Sequence, residues 1–184
     1  STVVVVGLGS IGILMGQAIK AYGHRVIGVD LLDERLELAK KFGFDDTIKY
    51  TNDEDVKSNL EKRYGENSID SVFLTAGARA SVKTALACVR NGGTILVFAS
   101  VSDDNLGFSN NDIYYRELKV LSTYSATPET LTKALKLLEE KKVESIKVNE
   151  AGLTYSGQLK NGTKFSVNMP SAYDMAVISE QYIL

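Results

Sequence analysis

The stretch VVVVGLGSIG, Val3 to Gly12, decides the fold when it is read together with Asp30. Val3 to Val6 are four consecutive β-branched apolar residues, the pattern of a strand buried on both faces in a parallel sheet. Gly7-Leu8-Gly9-Ser10-Ile11-Gly12 follows, a G-x-G-x-x-G placed where a strand turns into a helix. In that reading Gly7 permits the tight turn, Gly9 keeps Cβ atoms away from an approaching pyrophosphate, and Gly12 lets helix and strand pack closely. Ile11, Leu14, Met15, Ala18, Ile19 and Tyr22 recur at helical spacing, so the free N–H groups and positive dipole end of this helix face the turn. A phosphate fits there.

Arg25 to Val29 (RVIGV) reads as a second buried strand ending at Asp30, about where the dinucleotide fingerprint places a ribose-binding acid. A carboxylate there accepts hydrogen bonds from the adenosine ribose hydroxyls and repels a 2′-phosphate, which favours NAD over NADP. The motif is weak alone and gains its weight from the strand, turn, helix and strand around it.

The 184 residues, 44% of them hydrophobic, suffice for one substantial core plus at most a small appendage. A net charge of -2 argues against general nucleic-acid affinity. The sequence has no run of apolar residues long enough for a membrane span and no signal-peptide pattern at its start, so a soluble cytoplasmic protein is expected. Cys88 and His24 are the only cysteine and histidine, too few for a zinc site of the usual nitrogen and sulfur type. Cys88 is expected on the apolar side of a helix, and His24 on the sheet edge away from the ligand.

Helices are predicted over Leu32 to Phe42 (Leu32, Leu36 and Ala39 inward, Gly43 as stop), after a Thr51-x-x-Glu54 capping box (Val56, Leu60 and Tyr64 inward), and around Val82, Ala85, Leu86 and Val89. Strands are predicted at Thr47 to Tyr50, Ile69 to Leu74, Thr94 to Phe98 and Leu118 to Tyr124. A short helix is read at Asp112 to Glu117. A last one starts at Thr127-Pro128-Glu129 with Leu131, Ala134, Leu135 and Leu138 as its buried stripe. Alternating strands and helices imply an α/β, doubly wound parallel sheet of order 3-2-1-4-5-6 over residues 1–143. Ligands of such sheets bind beyond the carboxyl ends of the strands, which nominates Thr75, Ala76, Phe98, Ala99 and Ser100.

The segments GLGSIGILMGQAIKAYGHRVIGVD, ERLELAKKFG, LTAG, ALACVRNGGTILVFASVS and YYRELKVLSTYSATPETLTKALKLLEEKKV resemble, in order and spacing, the cofactor domain of the medium-chain dehydrogenase/reductase superfamily in its zinc-type alcohol and polyol dehydrogenase branch. The resemblance implies a Rossmann domain with the pyrophosphate on Gly7, Leu8, Gly9, Ser10, Ile11 and Gly12, and the ribose on Asp30 with Arg35 beside it. Thr75, Ala76, Phe98, Ala99, Ser100 and Tyr124 would border the nicotinamide half. It also implies a homodimer through an edge strand at Asn105 to Ser109, and a separate domain carrying the zinc, the proton relay and most of the substrate pocket. None of that domain lies in this sequence, so the expectation is a fragment or recombined chain that binds a dinucleotide without turnover.

Residues 144–184 depart from that family. They read as a small βββα appendage sharing the helix 128–142: strands at Ile146 to Asn149, Leu153 to Leu159 and Thr163 to Met169, then a helix from Pro170. A three-residue hairpin loop, Lys160-Asn161-Gly162, aligns Tyr155 with Val167 and Leu153 with Met169, giving one apolar face and a left-handed Gly162. The hairpin GQLKNGTKF and the proline-led helix resemble the small extracytoplasmic domain of membrane-anchored ATP-dependent zinc metalloproteases, which implies a chimera.

Three other readings stay open: a nucleotide-sensing regulatory Rossmann module, a structural chimera with no activity, and a methyltransferase, against which Gly12 counts.

Overall fold

A computed structural model describes residues 1–100 and 107–144 together with the backbone of two further strands, 153–158 and 164–169. Strands β1 (Thr2–Val6), β2 (Arg25–Asp30), β3 (Asp46–Lys49), β4 (Ser71–Leu74), β5 (Thr94–Val97) and β6 (Lys119–Ser122) form one sheet in the order β3-β2-β1-β4-β5-β6. Every pairing within it is parallel. The order reverses between β1 and β4, so their carboxyl ends diverge toward α helices on opposite faces and open a crevice.

Period-two alternation assigns the faces. Val3 and Val5, with Val26, Phe73 and Leu96, pack against Ile13, Met15 and Ile19 of α1 (Ser10–Ala21) and against Leu36 and Ala39 of α2 (Asp33–Lys41). Val4 and Val6, with Ile27, Val29, Val72 and Leu74, pack on the other side against Val56 and Leu60 of α3 (Asp53–Tyr64) and Val82, Ala85 and Cys88 of α4 (Arg79–Cys88). Burying one such valine contributes about 1.5 to 3 kcal/mol, so the run in β1 anchors both layers.

The local readings hold with shifts at the ends. Helix α1 has Gly9 as N-cap; of the expected stripe it buries Met15, Ala18 and Ile19, leaves Ile11, Leu14 and Tyr22 half-buried, and buries Ile13, Gly16 and Gln17 as well. Gly16 is needed there because a Cβ would stand 1.9 Å from the Phe44 ring. Leu32 is the N-cap of α2 and half exposed, not inward. The cap of α3 is Asn52, whose side chain accepts from the Asp55 N–H, one residue beyond the predicted Thr51 box.

Beyond β5, α5 (Asn110–Tyr115) starts at a Ser109 capping box, and α6 (Pro128–Glu139) starts at the expected Thr127 cap with Pro128. The stripe expected on α6 is not buried: no residue of the helix is, and Leu131 and Leu135 are exposed. Its amphipathic pattern predicted a packed face that the described residues do not supply. Chain exit from α6 is pinned instead by Gln17, which accepts from Glu144 N–H at 2.7 Å and donates to Glu144 C=O at 3.2 Å.

Strands β7 (Leu153–Gln158) and β8 (Lys164–Met169) form a separate antiparallel pair with Leu153 opposite Met169 and Tyr155 opposite Val167, the register read from the apolar alternation. The expected strand at Ile146 to Asn149, the hairpin loop with Gly162 and the helix from Pro170 lie outside the described residues. So do Asn105 and Leu106 of the expected dimer strand, while Gly107, Phe108 and Ser109 are irregular chain.

Candidate functional site

The carboxyl ends of β1, β2, β4 and β5 gather most of the nominated residues. Gly7 leaves β1 with φ +96°, and its N–H donates to Val29 C=O of β2 at 2.9 Å. A Cβ at Gly7 would meet Ala76 at 2.7 Å, and one at Gly12 would stand 1.9 Å from the Gly7 carbonyl oxygen. Packing within the protein therefore requires both glycines. Gly9 differs: its backbone is extended at φ -68° and ψ -172°, and a Cβ there would meet nothing within 4 Å. Protein atoms do not require a glycine at that point, so the space its missing side chain leaves is available to a ligand.

The opening lies at the N-terminus of α1, where the N–H groups of Ser10, Ile11 and Gly12 have no intrahelical acceptor. Oriented N–H donors and a positive helix pole favour a phosphate group. Ser10 and Ile11 are half-buried, whereas the Leu8 side chain is fully buried against Gly28, leaving only its backbone at the site.

Asp30 ends β2 and is 7% exposed. Its Oδ2 accepts from Leu8 N–H at 2.7 Å and its Oδ1 from Leu32 N–H at 3.0 Å. Arg35 reaches Oδ2 at 3.4 Å with its guanidinium otherwise in solvent. The acid and Arg35 thus stand together as predicted. The carboxylate's grip on Leu8 was not legible, because the sequence spacing indicates proximity and not which N–H is taken. A carboxylate has about four acceptor positions, so capacity remains for ribose hydroxyls.

Across the crevice, Thr75 follows β4. Its hydroxyl lies 2.5 Å from Gly7 C=O and 3.0 Å from Val6 C=O, and its N–H donates to Val6 C=O at 3.1 Å. Ala76 sits against Gly7, and its carbonyl accepts from the buried Ser81 hydroxyl at 2.9 Å. Phe98 and Ala99 follow β5 half-buried, and the exposed Ser100 brings its carbonyl to within 2.6 Å of where a Gly77 Cβ would stand. Tyr124, beyond β6, is 84% exposed and is the nominated residue farthest along the sheet order.

A family model described as zinc-binding dehydrogenase matches residues 10–140. The chain belongs to the zinc-binding dehydrogenase family. An alcohol dehydrogenase of Geobacillus stearothermophilus is 30% identical over 144 residues, 78% of this chain and 42% of that protein. Sorbitol dehydrogenase 1 of Saccharomyces cerevisiae is 30% identical over 128 residues, 66% of this chain and 36% of that one. A solved NAD-dependent alcohol dehydrogenase superposes with a TM-score of 0.70 at 27% identity, over 79% of this chain and 42% of its own. The chain thus spans less than half the length of these relatives, and its match lies within the sheet and helices that carry the crevice.

The family's zinc does not fit the residues described. Cys88 is a core residue of α4; burial, helped by Asp53, pushes its thiol up to about 12, so it stays protonated. His24 sits in the turn before β2, at the opposite sheet edge. Among the described residues no group of three or more His, Cys, Asp and Glu side chains is placed to hold a metal ion, and no helix is long and apolar enough to cross a membrane.

Proposed function

We propose that this chain is the NAD(H)-binding domain of an alcohol or polyol dehydrogenase. The observation that carries the reading is the contrast among the three glycines: Gly7 and Gly12 are demanded by packing, whereas Gly9 opens onto free space at a helix N-terminus. Pyrophosphate occupies that space, held by the first N–H groups of α1. The adenosine ribose lies on Asp30 beside Arg35, and the nicotinamide extends along Thr75, Ala76, Phe98, Ala99 and Ser100, with Tyr124 at the outer border. The Asp30 carboxylate disfavours a 2′-phosphate by like charge, so NAD is preferred to NADP. Bound NAD supplies a hydride acceptor at its nicotinamide ring. This chain's own residues bind and orient it, while polarising a substrate oxygen falls to groups outside the described residues. The chain alone therefore binds dinucleotide without oxidising alcohols.

Residues beyond 143 form a separate unit in this reading. Support comes from the family match ending at residue 140 and from the hairpin β7 and β8 forming its own sheet.

NADH fluorescence is the test. Saturable enhancement of the nicotinamide emission, reversed by NAD and about tenfold less well by NADP, is expected. Absence of saturation at millimolar NADH, or turnover of an alcohol or polyol by this chain alone, would overturn the corresponding half of the proposal.

A further inference from the structure

The carbonyl of Gly7 and the N–H of Leu8 belong to one peptide unit, and the structure holds that unit from both sides. Thr75, arriving from β4, places its hydroxyl 2.5 Å from the Gly7 oxygen. Asp30, arriving from β2, accepts the Leu8 N–H at 2.7 Å. The same Gly7 oxygen rests on Gly12, where a Cβ would stand 1.9 Å away. A planar peptide rotates as a unit, so fixing its oxygen and its N–H by side chains from two different strands fixes its orientation. It also fixes the start of the segment whose next residue, Gly9, opens onto the phosphate space.

We propose that Thr75 is a positioning residue which, with Asp30, clamps the Gly7–Leu8 peptide and so presets the dinucleotide turn. Its hydroxyl acts through Gly7 and does not contact the cofactor. The inference rests on the dinucleotide reading for its effect on affinity, though the clamp itself exists in the ligand-free chain. A neutral hydroxyl-to-carbonyl bond within a partly buried crevice is worth enough to change affinity by about tenfold. Asp30 is then at once an acceptor for ribose and the other jaw of the clamp. Ligand contact at the ribose and order in the turn are coupled through one carboxylate.

Thr75→Val keeps the branched shape and removes the hydroxyl, and Thr75→Ser keeps the hydroxyl. In the 15N-labelled full chain without ligand, Thr75→Val should shift the Leu8 amide resonance and speed its hydrogen exchange about tenfold. NAD affinity should fall about tenfold with the melting temperature little changed, and Thr75→Ser should restore all of these. Where the Thr75→Val substitution perturbs the fold, Thr75→Ala is read in its place. An unchanged Leu8 amide in the variant, or failure of serine to restore it, would overturn the clamp. If the wild-type chain binds no NAD, the dinucleotide reading falls, and the Leu8 amide alone still decides the clamp.

Discussion

The two edges of the parallel sheet are built on opposite principles. At the edge where the strands begin, charges are matched and the backbone is tied. Asp70 accepts from Thr2 N–H and Arg90, Asp45 from Val26 N–H and Lys20, and Asp46 from Arg63 and Tyr64. Arg116 caps the end of α4 through the carbonyls of Leu86 and Val89. At the edge where the strands end, the first N–H groups of α1 stay open, Leu31 and Tyr124 are exposed, and a glycine faces empty space. One edge closes the fold on itself, and at the other the first N–H groups of α1 keep a hydrogen-bonding capacity that, in the function proposed above, a dinucleotide takes up. Even there, the clamp from Thr75 and Asp30 is spent on keeping the turn in place.

The comparison breaks first at Gly12. Gly12→Ala drives a methyl into the Gly7 carbonyl, and overpacking of this kind costs about 1 to 3 kcal/mol. Denaturant melts should record that loss, and NAD binding should fall with it. Gly9→Val is the sharper case: stability should stay within about 0.5 kcal/mol, while NAD binding weakens about tenfold to a hundredfold as phosphate contacts to N–H groups are blocked. Next comes Asp30→Ala, which leaves Leu8 N–H without its acceptor. It should cost about 1 to 3 kcal/mol in stability and weaken NAD and ADP-ribose alike, which calorimetry on both ligands would reveal.

At the tied edge the effects are smaller and appear in acid. Burial works against ionisation of Asp45 and Asp70. The hydrogen bonds from Lys20 and Val26 N–H to Asp45, and from Thr2 N–H and Arg90 to Asp70, outweigh it and hold both carboxyls below their ordinary value. A depressed folded-state value means that the stabilisation is fully present above the unfolded-state value near about 4 and is lost as pH falls through the folded one. These groups are about one-third exposed, so solvent screening limits each to about 1 kcal/mol or less. Asp70→Asn should therefore lower the melting temperature modestly at neutral pH, and the gap from wild type should narrow below about pH 4. Smallest of all is Cys88: buried and protonated, it should ignore thiol reagents at pH 8 until the chain is unfolded.

The parts of this architecture that repeat were readable from residue order alone. Valine runs, the helix-stop glycine Gly43 and the Thr127-Pro128 start act through their own backbone or nearest turn, so local spacing carries them. What escaped depends on partners distant in sequence. The α3 cap fell on Asn52 because Asp55, not Glu54, turned back to the helix start. The apolar stripe of α6 named a buried face, yet amphipathicity records only that a helix has such a face and not what covers it. In the site, the places of Asp30 and the glycines at the strand ends were legible because the motif's own spacing fixes them. The tie from Thr75 to Gly7 spans 68 positions and follows from no spacing rule. Gln17 likewise looked like a polar helix residue and proves to hold Glu144 across 127 positions.

The most direct measurement is calorimetric titration of NAD into the wild-type chain and Gly9→Val, with thermal melts of both proteins. Saturable binding to the wild type, at least about tenfold weaker in the variant at an unchanged melting temperature, is the result expected of an edge left open for pyrophosphate. Equal affinity in both proteins, or no binding to the wild type at millimolar NAD, would contradict it.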